Sequence, residues 1–265
     1  MQESKVREWW QDGAGFFGRR YMEGDDSVEG YRKERQTLEE RTETEVSGVM
    51  KLLDLTPGQW LMDCPCGYGR HSIGLAKRGV NVVGVDINTE ELQIAKDHAQ
   101  SLDTIEFVHL DMREIAYEGK FDAIVNMFYS FGFFEEDEEN LQVIKHFYRA
   151  LKPGGKFLMH TDVNISRVVS GDYTFSEVRH LRSGRRVQQV ESYDRERKRI
   201  IGTWTLLNED NSIDALPPYS MRVYTYEEFS DICRSVGFQK ITGYAYWDGA
   251  ALADESEDMI IIAEK

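Results

Sequence analysis

The sequence predicts an α/β fold: a doubly wound, seven-stranded, mostly parallel sheet carrying an antiparallel β insertion. Two observations predict it. Between residues 36 and 162, short apolar strands alternate with helical segments at spacings that suit right-handed crossovers. From about residue 163 that rhythm gives way to extended β-branched and aromatic stretches separated by polar turns, and it resumes near residue 223. A third observation places a pocket: three successive strands end in an acid, at Asp63, Asp86 and Asp111.

The elements follow in order. Residues 1–35 mix Trp9, Trp10, Phe16, Phe17, Tyr21 and Tyr31 with charges and glycines, and read as an N-terminal lid segment. From Gln36 to Leu55, Val46, Val49, Met50 and Leu53 share one helical face, and Pro57-Gly58 ends the helix. A strand over 59–63 runs into the turn Cys64-Pro-Cys-Gly67-Tyr-Gly69-Arg-His71, and a short helix over about 70–78 leaves it. Strand two spans 81–85; Asn88-Thr-Glu-Glu91 reads as a capping box opening a helix to about Ser101. Strands over 105–110 and 121–126 follow, then a helix over about 136–151. Lys152-Pro-Gly-Gly155 turns the chain into strand five, 156–160.

Within the insertion, 163–222, the strands are Arg186–Tyr193, Arg199–Leu207 and Ser220–Tyr224. Thr225-Tyr-Glu-Glu228 opens the last helix, which Gly237 stops, and strands over 239–246 and 257–264 close the sheet. The core is therefore 36–162 with 223–265, and 163–222 is a cap over the substrate.

Composition narrows the function. The 265 residues are 41% hydrophobic and 12% aromatic, enough for a large core. No apolar run approaches the ~18 residues of a membrane span. The first ten residues lack the order of a secretory signal. Three cysteines, Cys64, Cys66 and Cys233, fit a reducing, cytoplasmic setting. Cys64-x-Cys66 is one residue short of the usual metal-binding pair and has no second pair, so no metal is expected. A net charge of −15 argues against an extended nucleic acid, whose phosphates need basic partners.

A glycine turn with an acid about twenty residues on also suits a dinucleotide-binding dehydrogenase. Here, however, the turn ends Gly-x-Gly-Arg-His without a third glycine, and Asp111-Met112 has no counterpart in that fingerprint. Taken together, Asp63-x-Pro-Cys-Gly-x-Gly-Arg-His, Val-Gly-Val-Asp86, Asp111-Met-Arg, Phe121-Asp-Ala-Ile-Val-Asn-Met-Phe-Tyr-Ser-Phe-Gly and Leu151-Lys-Pro-Gly-Gly resemble class I S-adenosylmethionine-dependent methyltransferases of the small-molecule type. The Ser130-Phe-Gly segment and the β insertion resemble glycine N-methyltransferase and the N,N-dimethyltransferases of amino sugars.

That resemblance implies S-adenosyl-L-methionine as methyl donor and S-adenosyl-L-homocysteine as product. It implies a sheet with three parallel strands on each side of a switch point and an antiparallel last strand. Cofactor contacts are expected from Asp63, Cys64, Gly67 and Gly69 at the first turn. Asp86 is expected on the ribose, with Ile87 against the adenine. Asp111 and the Met112 N–H would meet the adenine edge, and Asn126 or Met127 the ammonium group. Arg41, with Tyr31, is expected to reach the cofactor carboxylate. Pro65 offers no N–H there.

On the acceptor side, Tyr129, His160 and Tyr21 are the candidate catalytic groups. Arg179, His180, Arg182, Arg185 and Arg186 form a basic stretch. It reads either as an anion site for a carboxylate or phosphate substrate or as an exposed turn balancing local acids. The expected reaction is methyl transfer to a small-molecule acceptor, at nitrogen rather than oxygen or carbon. An RNA-base methyltransferase and a non-catalytic S-adenosylmethionine-binding protein are the alternatives.

Overall fold

The computed structural model describes residues 8–31, 35–210 and 212–265. After a short helix α1 (Arg19–Gly24), helix α2 (Leu38–Leu52) starts at a capping box. Thr37 Oγ1 accepts from the Glu40 N–H, and the Glu40 carboxylate accepts from the Thr37 N–H. Strand β1 (Trp60–Asp63), helix α3 (Arg70–Ala76), strand β2 (Asn81–Asp86), helix α4 (Thr89–His98) and strand β3 (Ile105–His109) form the first half of the sheet. Strand β4 (Phe121–Asn126), helix α5 (Asp137–Ala150) and strand β5 (Leu151–Thr161) begin the second. Lys152–Gly155 lies within β5 as an irregularity: Phe121 pairs with Leu151, but Ala123 pairs with Lys156.

A helix α6 (Ile165–Ser170) leads into strands β6 (Thr174–His180), β7 (Arg186–Asp194), β8 (Arg199–Leu207), β9 (Ile213–Ala215) and β10 (Tyr219–Arg222). Helix α7 (Tyr226–Val236) and strands β11 (Lys240–Tyr244) and β12 (Met259–Glu264) complete the chain.

The main sheet has the order β11-β12-β5-β4-β1-β2-β3. Strand β12 runs antiparallel to both neighbours, and the other pairings are parallel. Because β1 pairs with both β2 and β4, the winding reverses between β1 and β4, and a crevice opens at their carboxyl ends. Apolar side chains fill both faces. Val46, Val49 and Leu75 pack against Leu61 and Val82 on one side, and Phe147, Phe157 and Phe229 cluster on the other.

The second sheet is antiparallel, β10-β8-β7-β6 with β9 against β8. Strand β6 is an addition to the expected set. Its burial alternates only weakly, and Glu177, Arg179 and His180 disguise the strand pattern. The N-terminal segment lies between this sheet and the crevice. Trp9 and Phe16 pack on Tyr219, and Tyr21 stacks on Trp204 at 5.3 Å and 18°. Among the described residues no helix is long and apolar enough to cross a membrane, and no cluster of three or more His, Cys, Asp or Glu is arranged to hold a metal.

Candidate functional site

The crevice holds a cavity of about 110 Å³. Its floor is the β1–α3 turn, where Gly67 and Gly69 hold φ of +53° and +82°. A Cβ on Gly69 would lie 2.8 Å from Ala95 Cβ and 3.0 Å from Phe107 Cζ, so only glycine lets this turn seat against α4 and β3. The Cys64–Pro65 peptide is cis.

Acids surround the turn. Asp63 is buried; its Oδ2 accepts from Ser72 Oγ at 2.6 Å, and its Oδ1 has no partner. Burial pushes its carboxyl up to about 7. Asp86 accepts from the Gly67 N–H at 2.7 Å and the Asn88 N–H at 2.8 Å. Burial still raises it, although these N–H groups oppose the shift.

Sequence reasoning assigned Glu91 to a reciprocal capping box. Asn88 does accept from the Glu91 N–H at 3.0 Å, but the Glu91 carboxylate turns away and accepts from the Gly18 N–H at 3.0 Å. Burial and the nearby Asp86 raise its pKa. This bond fastens the N-terminal segment over the crevice. Arg19 on Glu90, and Thr89 on Asp12, fasten it further.

Of the predicted cofactor residues, Gly67, Gly69, Asp86, Ile87, Met112 and Met127 line the crevice. Cys64 and Asp111 line a smaller adjoining hollow with Ile87, Met112 and Trp10. There the Asp111 carboxylate accepts from Arg113, from Nε at 3.1 Å and Nη2 at 2.6 Å. The Asn126 amide donates to the Cys64 carbonyl at 2.9 Å, which leaves its Oδ1 buried and unpartnered.

Arg41 and Tyr31 do not line the crevice itself, although the Tyr31 hydroxyl donates to Asp25, which does, at 2.9 Å. Arg41 is only 6% exposed, bonded to Glu45 at 2.8 Å and Asp162 at 3.1 Å. With Tyr31 and His160 it lines a separate small hollow, and Phe128 packs under its guanidinium at 4.5 Å. The cation that does reach the crevice is Arg70, the residue after Gly69. It donates to Thr42 Oγ1 at 2.9 Å and to Glu45, and its guanidinium lies 4.7 Å from the other aromatic partner of Arg41, Phe128. Burial opposes the charge of Glu45, but Arg70, His71 and Arg41 hold its carboxyl well below the usual range. Burial and the Arg70 charge pull His71 down to about 4, so it donates to Glu45 as a neutral ring.

The catalytic candidates divide in the same way. Tyr21 lines the crevice, and burial holds its phenol protonated. Tyr129 does not line it. Its hydroxyl donates to the Arg222 carbonyl and accepts from the Tyr224 N–H, both at 3.0 Å, so it ties the end of β4 to the start of α7. His160 is buried between Phe128 and Trp247, 3.5 Å from Asp258. The crevice instead gains Asp25, Tyr68, Arg70, Glu91 and Phe128, which sequence reasoning did not nominate. Tyr68 donates to Asp25 at 2.6 Å. Arg70 stood inside the quoted motif; adjacency to the turn was the available signal.

The basic stretch of the insertion is mostly neutralised by the N-terminal segment. His180 meets Glu29, Arg182 meets Asp26 at 3.1 Å, and Arg185 meets Glu23 at 2.9 Å.

Comparison with known proteins agrees with this architecture. Residues 61–155 match the family described as a methyltransferase domain. The chain is 27% identical to the cypemycin N-terminal methyltransferase of a Streptomyces species over 78% of this chain and 84% of that protein. It is 35% identical to Bacillus subtilis YqeM over 44% of this chain, and spans 48% of that protein's length. Two solved structures share the fold at low identity. They are CcbJ methyltransferase from Streptomyces caelestis (TM-score 0.76, 15% identical, 91% of this chain and 97% of that one) and the amino pentose methyltransferase CalS10 from Micromonospora echinaspora (0.65, 19%, 87% and 92%). Residues 61–155 are therefore similar to a methyltransferase domain, and the chain shares its fold with these two methyltransferases.

Proposed function

We propose that this protein transfers a methyl group from S-adenosylmethionine to a nitrogen of a small-molecule acceptor. The observation that carries the reading is the charge pattern of the crevice: carboxylates at Asp25, Asp86 and Glu91 face one buried guanidinium, Arg70, between apolar walls. That donor set fits a ligand with a sulfonium, an ammonium, a carboxylate and a purine. Arg70 would hold the carboxylate, for which a planar guanidinium is suited. Asp86 would accept from the ribose hydroxyls, with Ile87 and Met112 against the purine. The glycine turn lets the methionyl chain approach the backbone.

When bound, S-adenosylmethionine supplies an electrophilic methyl carbon whose C–S bond breaks as the acceptor lone pair forms the new bond. The chain's own contribution is to orient and to exclude water. Orientation can supply on the order of 7–11 kcal/mol of such a barrier. Tyr21, backed by Trp204, forms an aromatic wall, and the Gly18–Glu91 bond holds the segment that carries Tyr21 in place. Tyr21 stays protonated and His71 is committed to Glu45, so an amine with a free lone pair suits the site better than a hydroxyl that must first lose a proton.

The named activities of the cypemycin N-terminal methyltransferase and of the sugar N-methyltransferase KedS8 support the choice of nitrogen. Calorimetry with S-adenosylmethionine and S-adenosylhomocysteine, followed by transfer of labelled methyl to a panel of small amines and to bulk RNA, tests the reading. Binding with label in the amines is expected; label in RNA alone would replace it with the base-methylating alternative.

A further inference from the structure

The inner face of the second sheet looks toward the N-terminal segment and the crevice. On it, Gln189 stands opposite Trp204, and Glu191 opposite Gly202, whose other neighbour is Tyr219. Arg179 belongs to the same face, opposite Val187. Nearly every polar group on this face has a partner. Glu191 accepts from Tyr173 at 2.8 Å, from Gln189 at 2.8 Å and from the Tyr219 hydroxyl.

Arg179 is the exception. Its Nε and Nη2 are shielded from solvent and have no hydrogen-bond partner among the described residues. Its one ion pair runs from Nη1 to Glu177 at 3.7 Å. Its neighbours His180, Arg182 and Arg185 meet acids of the N-terminal segment, whereas the acid that meets Arg179 is Glu177 of its own strand, and its Nε–Nη2 edge stays unpartnered. Nε and Nη2 together form the side of a guanidinium that presents two parallel N–H groups, the edge that grips a carboxylate bidentately. Leaving two charged donors buried and unmade is costly unless a partner arrives. The guanidinium lies 5.2 Å from the Trp204 ring centre, and Trp204 stacks on Tyr21, which lines the crevice.

Building on the methyltransferase reading above, we infer that the acceptor carries a carboxylate that docks on the Nε–Nη2 edge of Arg179, beside Trp204. Arg179 is then a specificity residue of the cap, separate from the donor site at Arg70.

The test uses the full chain loaded with S-adenosylhomocysteine and calorimetric titration with matched acids and amides: acetate and acetamide, succinate and succinamide, benzoate and benzamide. At least one acid is expected to bind saturably while its amide does not. Arg179→Gln is expected to weaken that acid at least tenfold and to keep S-adenosylhomocysteine affinity within twofold. Arg179→Lys keeps the charge but removes the fork, and is expected to weaken the acid likewise, which preserves the test if the Gln variant does not fold. Loaded protein that binds none of the acids, or variants that bind acid as tightly as wild type, would overturn the inference alone. Failure of the wild-type chain to bind S-adenosylhomocysteine would overturn the methyltransferase reading and this inference with it.

Discussion

The buried carboxylate of Glu45, on α2, accepts hydrogen bonds from Arg70 at the start of α3, and so connects the helix before β1 to the crevice. Arg41 joins the same carboxylate, and both guanidiniums lie over the Phe128 ring. The two arginines thus share a counter-ion but serve different cavities.

This geometry separates their substitutions. Arg70→Ala should weaken S-adenosylmethionine binding about tenfold or more, since a charge-assisted carboxylate bond contributes about 1.5–3 kcal/mol. Arg41→Ala should chiefly lower stability, by about 1–3 kcal/mol, because Glu45 keeps Arg70 and His71 while it and Asp162 lose one bond each. Calorimetry and chemical denaturation on both variants distinguish the roles; equal losses of affinity would return Arg41 to the cofactor site.

Gly69→Ala should cost about 1–3 kcal/mol, because its φ of +82° and its contact with Ala95 both exclude a side chain. The shift in denaturant midpoint measures it. A neutral substitution would mean that the turn relaxes.

The carboxyl of Asp63, raised from 3.8 to about 7, gives a signed pH effect. Between those values the folded state holds a proton that the unfolded state has released. The Asp63 contribution to stability is therefore full below about pH 4 and is lost as pH rises to about 7. Asp63→Asn should remove that slope, so wild type should lose stability relative to the variant as pH is raised through this window. Denaturation at several pH values reads it; parallel curves would reject the raised pKa.

Tyr129→Phe removes the hydroxyl that serves the Arg222 carbonyl and the Tyr224 N–H. Leaving such buried groups unmade costs about 1–3 kcal/mol each. Stability should fall while the turnover of folded enzyme changes less than threefold. A loss of turnover of a hundredfold or more at unchanged stability would restore a catalytic role to this phenol.

The legible parts of the chain are those whose pattern is local. Strands β1, β2 and β4 announce themselves as apolar runs ending in a polar tip. The Thr225–Glu228 box is made within four residues and forms as read. Glu91 departs from the same pattern because its partner, Gly18, lies 73 residues away, a contact no periodicity encodes. Arg41 and Arg70 present the same difficulty: one lies in the helix before β1 and the other just after the turn that follows it, and only tertiary packing puts Arg70 on the crevice and Arg41 on the smaller hollow. Tyr129 sits where a catalytic group would be sought, but the insertion's return to the core claims its hydroxyl.

The N-terminal segment grips α4 through Asp12, Gly18 and Arg19, and grips the second sheet through Glu23, Asp26 and Glu29. The crevice and the inner face of the second sheet are therefore covered by one segment. Displacing that segment would uncover both at once, so on the function proposed above spent donor and finished product would leave through the same interval of opening.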